Sequence, residues 1–318
     1  MQFIIYPGLQ KTGTSYFQLF CKSNRALLKD KYNISYLSLE QVFPDWPRSE
    51  HYSSNHNKIA SYFADYSSSF KPVTRDELQK LEQKIVNELE EHHVVLCAED
   101  FSRQINLELL SSFCTKILGN TSANLIISLV LREPKTWAQS MFNQYNKQRL
   151  LNFLQDGKAV GELNLTAQGM AKFLKQQAYF RLLNQTDLIS HWKKSFSSAK
   201  IEILSYEEIC RSTYSLPIEI LCRVIPDLDK ELIGLEEKLI LPPKANTNIS
   251  NNWLDILYGI ASNHDNKTDA KRTIRQIIED NCNELINLSG STSINDIHTI
   301  DDKLFNIQDY FKSSQYIQ

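Results

Sequence analysis

The sequence predicts an α/β protein built on a mostly parallel central sheet flanked by helices, and three observations carry that prediction. Short, nearly continuous apolar runs recur along the chain, longer stretches with helical spacing separate them, and the first run ends in a glycine-containing loop leading into an amphipathic helix. A strand with no polar face must be buried on both sides, which requires helices on both faces of the sheet.

The strand candidates run from Phe3 to Tyr6, Ile34 to Leu37, Val94 to Cys97, Leu125 to Leu131 and Ile201 to Leu204. Helical periodicity predicts helices from Thr14 to Leu28, Thr74 to Glu91, Pro134 to Arg149 and Thr166 to Leu183. Thr74 followed by Glu77 forms a capping box, which fixes the start of the second. Residues 40–57, with two prolines and an SSN cluster, and 150–165, with two glycines, follow neither period and read as long loops. Beyond Pro242-Pro243 the chain turns helical and polar, near 251–262, 268–288 and 301–312. One domain is expected, with its core in about residues 1–210 and a helical layer over about 211–318.

Composition excludes several classes. The 318 residues carry 35 Lys plus Arg against 37 Asp plus Glu, so the formal net charge of −2 offers no general attraction to nucleic acid or anionic membranes. The longest apolar run, Leu125 to Leu131, is far short of the roughly 18 residues that span a bilayer. The first residues lack the basic and long apolar regions of a secretory signal, so a cytoplasmic location is expected. Six cysteines without CxxC pairs, and histidines without ligand spacing, predict buried free thiols and no metal site.

The chemistry is local, and it begins in Tyr6-Pro-Gly-Leu-Gln-Lys-Thr-Gly-Thr-Ser15, between the first strand and the first helix. Unpaired N–H groups at a helix start, together with the helix dipole, stabilise an anion, and Gly13 allows close approach. Gly8 and Gly13 have the separation of a Walker A loop, GxxxxGK[ST], but Thr14 stands where its lysine should be; the lysine here is Lys11.

This KTGTS run resembles the 5′-phosphosulfate loop of the sulfotransferases that use 3′-phosphoadenosine 5′-phosphosulfate, in particular bacterial, carbohydrate-type members with a P-loop-like fold. The resemblance implies that Lys11 contacts the bridging oxygen of the phosphosulfate and stabilises the leaving group. It implies that Thr12, Gly13, Thr14 and Ser15 cradle the 5′-phosphate. A second segment, Leu129-Val-Leu-Arg-Glu-Pro-Lys-Thr-Trp-Ala-Gln-Ser140, resembles the family's 3′-phosphate segment, with Arg132 and Ser140 at the family's spacing. An arginine fork suits a dianionic phosphate. A third, Ile201 to Ile209, resembles the strand and YEE turn near the adenine and points to Tyr206. The family's RKG clamp has no counterpart; Lys244-Ala-Asn-Thr-Asn248 is a weak substitute.

Sulfuryl transfer to a hydroxyl also needs a general base. The 40–57 loop offers Glu50, His51 and His56, and the edge of the third strand offers Glu99. His56 ranks first, because an imidazole titrates near neutrality unperturbed, whereas Glu99 needs burial to raise its pKa. The implied enzyme moves a sulfuryl group, without a metal, from the phosphosulfate donor to a hydroxyl of a carbohydrate or glycolipid; Asp45, Trp46, Tyr52, Asn55, Asn143, Tyr145 and Asn146 suit a sugar. A P-loop kinase or NTPase with an atypical loop, for which Val94 to Asp100 imitates a Walker B strand, and a non-catalytic nucleotide-binding protein are the alternatives.

Overall fold

Nearly continuous apolar segments are best buried in the middle of a layered structure, and the five such segments become five strands, the last, with Glu202 inside it, only partly buried. In the computed structural model these are β1 (Gln2–Tyr6), β2 (Ile34–Tyr36), β3 (His93–Cys97), β4 (Asn124–Leu131) and β5 (Lys200–Ser205). All pairings are parallel, and the order is β2-β3-β1-β4-β5. The structure describes residues 1–40, 42–43, 56–64, 73–102, 105–156, 184–225, 228, 239–241 and 267–280. The helices expected at 166–183, 251–262 and 301–312, the loop residues Asp45, Trp46, Glu50, His51, Tyr52 and Asn55, and the segment Lys244 to Asn248 lie outside these.

The chain divides into two compact units, Met1–Glu133 with Asn184–Ala245, and Pro134–Leu183 with Asn246–Gln318. The first unit holds the whole sheet.

In that unit, helix α1 (Thr14–Ser23) buries Phe17, Phe20 and Cys21 in one cluster with Ile4 and Tyr6 of β1, Val95 and Cys97 of β3, and Ile126 and Val130 of β4. Each buried phenylalanine contributes about 2 kcal/mol. Phe3 and Ile5, also fully buried, alternate with these and face the opposite side of the sheet. Helices α2 (Arg25–Tyr32) and α3 (Asn57–Tyr62) follow; α4 (Arg75–Leu89) and α5 (Leu107–Leu118) pack on each other, α4 also against β3 and α5 against β4. Leu81, Ile85 and Leu89 form the buried stripe of α4, and the Thr74–Glu77 capping box is present. Helix α6 (Pro134–Asp156) belongs to the second unit; in the first, α7 (Gln185–Ser195) precedes β5, and α8 (Tyr206–Arg211) and α9 (Leu216–Val224) follow it.

The second unit contains the helices Pro134–Asp156 and Lys267–Asp280, the latter burying Ala270 and Ile274 one turn apart. Among the described residues no helix is long and apolar enough to cross a membrane.

Two expectations need correction. The helix expected from Thr14 to Leu28 is broken at Asn24, whose side-chain amide donates to Phe20 O and Ile240 O, both at 2.8 Å, while its Oδ1 accepts the Ile240 N–H at 2.7 Å. Asparagine competes with the helix for backbone groups, and here it straps residue 240 to the break. The loop expected from residue 150 starts later, because the helix from Pro134 continues through Leu150, Leu151, Phe153 and Leu154 and stops at Asp156, immediately before Gly157.

In the order β2-β3-β1-β4-β5, the chain leaves β1 towards one edge and later returns to start β4 on its other side. The carboxyl end of β1 is therefore the topological switch point, where α/β sheets open a crevice.

Candidate functional site

The loop between β1 and α1 is held from below by its own side chains. Thr12 Oγ1 donates to Leu9 O at 2.6 Å, Thr14 Oγ1 donates to the same carbonyl at 3.2 Å, and the buried Tyr6 hydroxyl donates to Thr12 O at 3.5 Å. Burial pushes the Tyr6 phenol far above its ordinary pKa, so it stays a neutral donor. Both threonine hydroxyls are thus turned into the protein, with Thr12 and Thr14 almost fully buried. These hydroxyls build the loop, so an anion at the start of α1 would meet backbone N–H groups.

Those groups belong to the start of α1. Gly13 is its N-cap, in the left-handed region at φ 79°, and gives no side-chain cap. The first helical hydrogen bond is Phe17 N–H to Gly13 O at 3.0 Å, which leaves the N–H groups of Thr14, Ser15 and Tyr16 without an intrahelical acceptor. Two glycines are required. A Cβ on Gly8 would lie 2.2 Å from Thr14 Oγ1, and any side chain at Gly13 would occupy a strained backbone.

Lys11 is also left-handed, at φ 68°, which is uncommon for a residue with a side chain. Its carbonyl accepts from Arg132 Nη1 at 3.0 Å. Arg132 leaves the end of β4, and its guanidinium lies 4.9 Å over the Tyr206 ring, with Nε 3.9 Å from Glu207 Oε1. Glu207 Oε1 also accepts the Glu133 N–H at 3.1 Å, and Gln185 Nε2 donates to Arg132 O at 2.5 Å. Tyr206 therefore offers one ring face to Arg132, and its phenol is pushed up to about 12, chiefly by burial. Ser140 lies on the helix Pro134–Asp156 of the second unit and is buried. Asn143, Tyr145 and Asn146 are on the same helix.

Glu99 starts a 3₁₀ turn, Glu99–Ser102, just past the end of β3. It is half-buried, and its Oε1 accepts from Ser15 Oγ at 3.5 Å, so the carboxylate adjoins the first turn of α1. Asp100 beside it is buried.

His56 is placed otherwise than a base requires. It is 1% exposed; Cys97 N–H donates to its Nδ1 at 2.8 Å and its Nε2 donates to Leu37 O at 3.1 Å. Both ring nitrogens are engaged by backbone, which fixes the neutral tautomer with its proton on Nε2. Burial lowers its pKa from 6.5 to about 4, with Arg25 adding in the same direction. Its one lone pair is occupied, so the ranking of His56 above Glu99 is reversed. A polar loop context, SSNHNK, gave no sign of this burial.

Sequence reasoning missed Glu207, Gln185 and the buried Gln18, whose Nε2 donates to Cys97 O at 3.4 Å from α1. Among the described residues there is no group of three His, Cys, Asp or Glu placed to hold a metal.

Comparison with protein families and with curated proteins finds no match. Among solved structures the chain is similar to a sulfotransferase from Alicyclobacillus acidocaldarius at 13% identity, covering 88% of this chain and 96% of that one, with a TM-score of 0.38. At that distance, what this chain does has to be read from the residues around Lys11 themselves.

Proposed function

We propose that the chain is a sulfotransferase, which moves a sulfuryl group from 3′-phosphoadenosine 5′-phosphosulfate to a hydroxyl of a carbohydrate or glycolipid. The observation that carries this reading is the convergence on one guanidinium. Arg132, from the second sequence segment, reaches the carbonyl of Lys11 in the first and stacks on Tyr206 in the third. Three segments singled out for one ligand thus meet at the switch point of the sheet.

In this reading the N–H groups of Thr14, Ser15 and Tyr16 receive the 5′-phosphate, Arg132 receives the 3′-phosphate, and Tyr206 neighbours the adenine. The acceptor oxygen attacks sulfur, the bond from sulfur to the bridging oxygen breaks, and the acceptor proton passes to the Glu99 carboxylate. Lys11 stabilises the charge that develops on the departing phosphate. Adenosine 3′,5′-bisphosphate leaves.

The kinase alternative is weakened by Thr14, since the side chain in the Walker lysine position is buried and bonded to Leu9 O. A non-catalytic binding protein is separated from an enzyme by Lys11→Ala, assayed as donor consumption across a panel of saccharides. Turnover lost with nucleotide binding retained supports the transferase; turnover absent from the unmutated chain on every acceptor, despite tight binding, favours the binding protein.

A further inference from the structure

Arg132 has a fixed position only if something fixes it, because an arginine side chain has much rotamer entropy to lose. Several described groups of the first unit surround it. The Tyr206 ring limits it on one face, the Lys11 carbonyl takes Nη1, and Glu207 stands at Nε. Glu207 is the unusual member. Glu207 and Glu208 both occupy the first turn of α8, where an acid ordinarily serves the helix dipole. At Glu208 only the backbone N–H is engaged by the cap, bonding Ser205 Oγ at 3.3 Å. Glu207 instead reaches across to β4, where one oxygen accepts the Glu133 N–H while standing beside the guanidinium of the preceding residue.

We propose that Glu207 is a positioning residue of the nucleotide site, fixing the exit of β4 and the Arg132 fork so that Arg132 holds Lys11 in its left-handed conformation. This rests on the nucleotide reading above and deepens it. Two consequences of a carboxylate beside an arginine oppose each other. Its charge offsets the positive potential that draws an anion, whereas its hydrogen bond sets the geometry of the fork. A purely electrostatic neighbour and a positioning residue therefore respond differently to neutral replacements. Glu207→Gln removes the charge and keeps an oxygen able to accept the Glu133 N–H; Glu207→Ala removes both.

The test is calorimetric binding of adenosine 3′,5′-bisphosphate and of adenosine 5′-monophosphate to the full chain and both variants, with amide exchange of residues 11–15 in the free proteins. Positioning predicts that Glu207→Ala weakens the bisphosphate by up to about tenfold, one hydrogen bond's worth. Glu207→Gln is expected to bind as tightly as the unmutated chain or more tightly. Exchange in the loop should rise in the alanine variant and stay unchanged in the glutamine one. Equal tightening in both variants, with unchanged exchange, overturns the proposal, since Glu207 would then act by charge alone. If the unmutated chain binds neither nucleotide, the functional reading fails separately; the exchange arm still decides whether Glu207 governs the loop.

Discussion

The N–H of Cys97 donates to Nδ1 of His56 at 2.8 Å, at the point where β2 and β3 part. Their paired register ends at Tyr36 and Val95. Just beyond, one residue on in β2 and two in β3, the imidazole lies between Leu37 O and Cys97 N–H and bridges the two chain segments in place of a direct backbone bond. Cys97 is two residues from Glu99, so this ring also braces the turn that carries the proposed base.

That arrangement sets a pH dependence. The folded-state pKa of His56 is lowered to about 4 from 6.5, so the unfolded chain binds more protons between these values. Stability from this group is fully present above about pH 6.5 and is lost as pH falls towards 4, on the order of 3 kcal/mol in all. Urea unfolding from pH 7.5 to 4.5 should show the decline. His56→Gln should be less stable at neutral pH and flatter with pH; an unchanged slope would remove His56 as its source.

Glu99→Gln should leave binding of adenosine 3′,5′-bisphosphate within about twofold and reduce turnover by roughly 10² to 10⁴, the range of a general base. The amide is nearly isosteric and can still accept from Ser15, so the contact to α1 survives. Turnover near that of the unmutated chain would leave the acceptor proton to some other group.

Arg132→Ala should weaken adenosine 3′,5′-bisphosphate by about 1.5 to 3 kcal/mol, the size of a charged hydrogen bond. Because Arg132 also holds Lys11 O, a smaller loss is expected for adenosine 5′-monophosphate. Equal losses for the two nucleotides, measured by calorimetry, would mean that Arg132 acts only through the loop.

Gly13→Ala should cost about 1 to 2 kcal/mol, the penalty of a Cβ in the left-handed region, with the tip of Leu216, 2.6 Å from that Cβ, having to turn aside; Gly13→Asn, a residue that tolerates this backbone, should cost less once Leu216 has moved. Gly8→Ala should cost more than Gly13→Asn, since its Cβ would fall 2.2 Å from Thr14 Oγ1 and break the Thr14 bond to Leu9. Thermal unfolding ranks the three; a Gly8 variant as stable as the unmutated chain would contradict the packing described.

The sheet was legible because two-sided burial leaves a direct mark on composition, and every expected strand is present within a residue or two at each end. Helices were legible where a long stripe or a capping box marked them, as at Thr74. Short helices after β5 were not, because six to nine residues give too little periodicity. The break at Asn24 depends on a residue more than 200 positions away. Lys11 and Arg132, singled out by spacing, meet in the fold, but the direction in which each side chain points was not legible. Thr12 and Thr14 look like ligands in sequence and are struts in the fold, and nothing local to His56 shows that two strand ends enclose it.

The crevice at β1, in the reading proposed above, takes a 3′-phosphorylated adenine nucleotide. Calorimetric binding of adenosine 3′,5′-bisphosphate beside ATP, each with and without magnesium, tests it without knowledge of the acceptor. Preference for the bisphosphate, unaffected by magnesium, is expected, with thermal stabilisation of about 2.7 kcal/mol at 100 times its dissociation constant. Magnesium-dependent preference for ATP would contradict it and favour phosphoryl transfer.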